Sequence, residues 1–193
     1  MRKQLIRDGK YTGYAGNYLL CIVSICSLAS GCATAPMPQT AEEYRQIVAK
    51  DEIFGTLFET YEVNQPYSKV AATLKAKAKE CLDVKLAFEQ CIKRSCQDFD
   101  VFYTPTVLSQ AGKTELHVQW RRAPENAIYT NGKPPAKGPY ILVADAVPAG
   151  NGKTRMNIYT TKHAYTLLPP AIKHWASGTN MGCPNLAQSM YGN

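Results

Sequence analysis

From Tyr18 to Ala29 the chain runs through 12 uncharged, mainly apolar residues (YLLCIVSICSLA) with no polar stripe at helical spacing. After Thr40 the pattern becomes periodic. Thr40-Ala41-Glu42-Glu43 is a capping box, which predicts a helix to about Lys50 with Tyr44, Ile47 and Val48 on one side. Phe54–Val63, aromatic and β-branched, predicts a strand. Asn64-Gln65-Pro66 then starts a helix over Pro66–Leu82. Its residues Val70, Leu74, Ala78, Cys81 and Leu82 form one apolar stripe, while Lys69, Lys75, Lys77, Lys79 and Lys85 occupy other sides as a solvated surface. Four more strands are predicted. They are Phe99–Leu108; Thr114–Arg122, where Leu116, Val118 and Trp120 alternate with Glu115, His117, Gln119 and Arg121; Tyr140–Val147, apolar on nearly every residue as in a central strand; and Thr154–Thr161. Gly150-Asn151-Gly152 is a hairpin signal between the last two. Ala123–Gly138 is a long Pro/Gly loop. Pro169-Pro170 opens a final helix to about Ala176, stopped by Gly178, with Ile172 and Trp175 inward. The order α-β-α-β-β-β-β-α predicts an α+β fold: a single antiparallel sheet of about five strands with helices packed on one face.

The first apolar run is too short to span a bilayer and follows a basic start of Arg2, Lys3, Arg7 and Lys10. Residues 1–31 therefore read as a signal peptide. Ala29-Ser30-Gly31-Cys32 resembles the lipobox of bacterial lipoproteins, departing from it in carrying Ala29 where leucine is favoured. The resemblance implies cleavage before Cys32, acylation of its thiol, and, with Ala33 following, placement in the inner leaflet of the outer membrane facing the periplasm. An alternative cut after Ala33-Thr34-Ala35 is disfavoured by Pro36, which lacks an N–H and extends its neighbour. Residues 32–39 are then a tether reaching roughly 25 Å, and 40–193 a single periplasmic domain, long enough for one core. Four basic residues and one acid leave with the signal, so the net charge of +7 becomes +4. That balance is no nucleic-acid footprint.

Of 7 cysteines, Cys21 and Cys26 leave with the signal and Cys32 is the lipidation site. Cys81, Cys91, Cys96 and Cys183 remain, and in an oxidising compartment two disulfides are expected. Three connectivities are open. The turn-like CIKRSC favours Cys91–Cys96, leaving Cys81–Cys183. Zinc is the weaker alternative, because no C-x-x-C pair is present.

Catalytic chemistry is harder to find. His117, His163 and His174 lie in no H-E-x-x-H or G-x-S-x-G context. Asp98 and Asp100 share one strand face but lack a ligand-rich loop. Tyr129, Tyr140, Tyr159 and Tyr165, with Arg121 and Arg122, suit either a glycan or peptide groove or ordinary packing, and packing is the commoner use. No enzyme, cofactor or metal site is expected.

Tyr61–Pro184, with Pro66-Tyr67 opening a helix and Trp175 preceding Cys183-Pro184, resembles uncharacterised small bacterial envelope lipoproteins. The element order is similar to helix-grip domains such as those of the outer-membrane assembly lipoprotein family. That resemblance implies either binding of an envelope protein partner or an apolar ligand held between sheet and final helix. Trp120, Met156, Ile172 and Trp175 are the candidate groove. A non-enzymatic interaction or assembly module is the leading expectation, a carrier of an apolar ligand or lipid the second, and a cell-wall-acting enzyme the third.

Overall fold

In the computed structural model, residues 36–50, 55–92, 95–123, 132–161, 164, 166–179 and 181–190 are described. The signal segment, Cys32, Tyr129, His163 and Tyr165 lie outside them. Helix α1 (Ala41–Ala49) opens at Thr40 as expected, with Glu43 reaching back to the residue before the cap instead of to the cap itself. The Thr40 hydroxyl accepts the Glu43 N–H at 3.1 Å, and the Glu43 carboxylate accepts the Gln39 N–H at 2.7 Å. Strand β1 (Thr56–Val63) follows, then α2 (Tyr67–Lys77), which continues through a π turn over Ala78–Leu82. Next come β2 (Val84–Ile92), β3 (Ser95–Gln110), β4 (Lys113–Ala123), β5 (Tyr140–Gly150) and β6 (Lys153–Thr161). Helix α3 (Leu168–Ser177) carries prolines in its first turn and ends at Gly178 in the left-handed conformation (φ 80°). A 3₁₀ turn covers Leu186–Met190.

The fold is α+β, with one open antiparallel sheet of six strands in the order β1-β6-β5-β4-β3-β2 and three α-helices among the described residues. The sixth strand is β2, which the sequence pattern did not predict. Val84, Leu86 and Phe88 alternate with Lys85, Ala87 and Glu89, and the strand pairs with β3 along its whole length, Val84 opposite Tyr103 and Ile92 opposite Ser95. Cys91 and Cys96 thus stand opposite each other at the end of the β2–β3 pair. Asn151 (φ 50°) and Gly152 (φ 70°) make the expected tight turn between β5 and β6, where a residue with φ > 0 matches the twist of the strands.

Side chains alternate across a strand, and here both sides are used. Leu116 and Val118 of β4, Leu142, Ala144 and Ala146 of β5, and Met156 and Ile158 of β6 turn to one face. There they meet Val70, Leu74 and Leu82 of α2 and its π turn, and Leu168, Ile172 and Trp175 of α3, in the main core. Val143 of β5 turns to the opposite face, where Ala41, Tyr44 and Val48 of α1 cover it in a second, smaller cluster. The expectation that all helices pack on one face is therefore corrected: α2 and α3 share a face and α1 takes the other. The inward set of α1 is Ala41, Tyr44, Arg45 and Val48, spaced i, i+3, i+4, i+7. Ile47, expected beside Tyr44, is only half-buried. Cover on both faces explains why β5 is apolar at nearly every position.

Two disulfides pair as the sequence favoured. Cys81–Cys183 joins the π turn to the segment after α3 across 102 residues, and Cys91–Cys96 closes the β2–β3 hairpin. One further expectation changes. Pro36–Gln39, read as free tether, lie on the domain. Pro38 is buried, and the Gln39 amide donates to the Lys133 carbonyl at 2.9 Å and the Met37 carbonyl at 3.0 Å.

Candidate functional site

The densest group of ionisable side chains lies between α1 and the face of β4 and β5 that it covers. Alternation sends Glu115 and His117 of β4 and Asp145 of β5 to that face, and helical spacing sends Arg45 inward beside Tyr44. Arg45 donates to Asp145 at 2.7 Å, to Glu115, and to Glu42 at 3.1 Å. Lys113 pairs with Glu115 at 2.9 Å and Asp145 at 3.2 Å. His117 Nε2 lies 2.8 Å from Glu115. The Asp145 side chain is only 5% exposed and that of Arg45 10%, so each charge depends on the other in place of water.

Burial works against the Arg45 charge, but hydrogen bonds and charge from Asp145 and Glu115 outweigh it and raise its pKa. Burial likewise opposes ionised Glu115, yet hydrogen bonds from Lys113, Arg45 and His117 bring its pKa down to about 2. Burial lowers the His117 pKa, against the opposing pull of Glu115. A neutral His117 whose Nε2 faces an ionised carboxylate carries its proton there, because the carboxylate only accepts. Two cations, Arg45 and Lys113, then face the anions Glu115 and Asp145, with the exposed Glu42 at the edge. Every one of these groups is engaged by another, and the arrangement acts as a clasp that fastens α1 to the sheet.

The candidate groove residues separate. Met156 and Ile172 are 0% exposed and Trp175 1%, so no void of water size touches them. They are packed core, with the Trp175 indole N–H donating to the Met181 carbonyl at 3.3 Å. Trp120 is partly buried at the margin of the same core. The groove expected between sheet and final helix is filled along these three residues.

The other sequence candidates are dispersed. Asp100 pairs with Lys85 at 2.9 Å, and Asp98 stands opposite Glu89 on the neighbouring strand. His174 is exposed on α3. Arg121 stacks over Phe102 at 4.2 Å and Arg122 over Phe99 at 3.6 Å; as consecutive strand residues they point to opposite faces. Tyr140 and Tyr159 instead border the α1 cluster, Tyr140 against Tyr44. The two arginines therefore do not face a common site.

Arg45, Lys113, Glu115 and Asp145 were not singled out from sequence. One signal was available: Asp145 is the lone charge in YILVADAV, and an acid inside a central strand requires a buried partner.

No protein-family model matches the chain, and no curated protein matches it. Among solved structures, the chain is similar to Ara h 8.0201 at TM-score 0.33 and 9% identity, covering 64% of this chain and 94% of that one. The hypothetical protein jhp0584 from Helicobacter pylori matches at TM-score 0.33 and 11% identity over 69% and 90% of the two chains. Protein Ms6760 from Mycobacterium smegmatis matches at TM-score 0.32 and 10% identity over 64% and 86%.

Proposed function

We propose that the chain is a membrane-anchored envelope lipoprotein, lipidated at Cys32, whose helix-grip-like domain faces the periplasm from the outer membrane and works by binding another envelope protein. The observation that supports this reading best is the clasp. Arg45, bound to Glu115 and Asp145, fastens the element next to the anchor onto the sheet, which suits a module that presents a protein surface at a fixed place on a membrane. The same clasp engages the ionisable groups that a catalytic role would need free. A carrier of apolar ligand would need lining residues that Met156, Ile172 and Trp175, packed together, do not supply. Among the described residues no helix is long and apolar enough to cross a membrane. On the lipoprotein reading the acyl chains supply the attachment; two or more such chains hold stably where one holds marginally.

Intact-mass measurement on protein extracted from membranes tests the anchor: the expected mass is that of a chain beginning at Cys32 plus acyl groups. Crosslinking in intact envelopes, followed by identification of the captured species, tests the binding role. Recovery of the uncrosslinked lipoprotein alone, at a density of crosslinkers that captures other envelope complexes, counts decisively against it.

A further inference from the structure

The chain between the proposed anchor and the folded domain is much shorter than the sequence suggests. Gln39 is held through three hydrogen bonds, to Glu43, Met37 and Lys133, and Pro38 is buried. Only Ala33, Thr34 and Ala35 separate Cys32 from Pro36, and four residue steps span about 13 Å at full extension. The polar layer on each side of a bilayer is roughly 5–7 Å deep. Whatever surface surrounds Pro36 and Met37 is therefore kept within about 13 Å of the proposed anchor by covalent geometry.

That surface is distinctive. A cleft of about 350 Å³ opens between Pro36–Gln39 and the outward side of α1, lined also by Glu43, Gln46, Ile47 and Lys50. Ile47 is the one large apolar residue of α1 that turns away from the sheet, and it sits half-buried beside Met37. Glu43, whose carboxylate accepts the Gln39 N–H, and Lys50 both line the cleft, and Lys133, exposed, adjoins it through the bond from Gln39 to its carbonyl. Apolar side chains edged by charges of both signs suit the boundary between acyl chains and a headgroup layer that itself carries both signs.

We infer that the Met37–Ile47 cleft is the membrane-docking face of this domain, seated on the phospholipid surface so that the sheet is held in one orientation. The inference rests on the lipoprotein reading above. With α1 clasped to the sheet, the face bearing α2 and α3 is then turned away from the bilayer and left accessible from the periplasm.

The test uses the full lipidated protein, methyl-labelled, in nanodiscs of phosphatidylethanolamine and phosphatidylglycerol containing headgroup-spin-labelled lipid. The Met37 and Ile47 methyl resonances should be broadened away, while those of Val107 and Met181, on the other side of the sheet, keep their intensity. Equal broadening of all four, or preserved Met37 and Ile47 signals, overturns the docking face. An intact mass taken on the same sample separates the two failures. Absence of acyl groups defeats the lipoprotein reading, whereas an acylated protein with unbroadened cleft signals defeats only the docking.

Discussion

Asp145 has two cationic partners, and their contributions differ. Arg45 reaches it from α1 while Lys113 reaches it from the neighbouring strand. Arg45→Ala should destabilise the domain by roughly 3 kcal/mol, the low end for breaking a buried pair because Lys113 stays as a cation beside Asp145, read as a lower midpoint in urea unfolding. Acid should act on the same cluster. Glu115 is held at about 2 against an ordinary 4.5, so its contribution is complete above pH 4.5 and is lost as pH falls toward 2. After allowance for its partial exposure the loss is on the order of 2 kcal/mol. His117, lowered from 6.5, has the same sign and begins to cost stability as pH falls below 6.5, because the folded state resists protonation there. His117→Gln should flatten the stability profile just below pH 6.5 and leave the steeper fall below 4.5 in place. At this scale the sequence was only partly legible. The alternation of Thr114–Arg122 put Glu115 and His117 on one side correctly, but nothing in it distinguishes a solvent face from a face covered by a helix 70 residues earlier.

Among the elements, the segment entering β5 is the most tightly specified. Gly138 adopts φ +92°, and a Cβ there would meet the Trp120 carbonyl oxygen at 2.0 Å. The Gln119 amide also donates to the Gly138 carbonyl at 2.8 Å. Gly138→Ala combines a left-handed backbone with a backbone clash and should cost about 2 kcal/mol or more, measured as a fall in Tm. Element types were readable where punctuation was strong: the capping box of α1, Pro169-Pro170 and Gly178 around α3, and the Asn151-Gly152 turn all act locally. β2 was lost because Lys85 reads equally well as the last basic residue of the preceding helix, which hides the alternation of Val84, Leu86 and Phe88. The side taken by α1 was not legible at all, since a short amphipathic helix carries no label for which face of a sheet it will cover.

Across the whole molecule, the two disulfides should differ sharply in effect. In the loop-entropy account, Cys81–Cys183 closes 102 residues and stabilises by about 4–5 kcal/mol, whereas Cys91–Cys96 closes a short hairpin and stabilises by about 2. Paired alanine replacement of Cys81 and Cys183 should lower the thermal midpoint by about twice as much as replacement of Cys91 and Cys96, as calorimetry would show. The α+β class and the single sheet were legible from the succession of strands with short connections. The filled space beneath α3 was not, because the same apolar residues would line either a cavity or a solid core.

The strand order has a consequence for how the chain is made. β1 finds its only strand partner among the described residues in β6, 91 to 105 residues later. The contacts of α1 with Glu115 and Asp145 span 70 and 100 positions. Synthesis begins at the amino end, so β1 emerges early and must wait for β6 before it can pair. Such distant closure slows folding and leaves apolar segments uncovered in the meantime. A nascent chain cut short anywhere before β6 should be unable to form a protease-resistant core, and the finished one should depend on escort by holding factors until its last third has emerged.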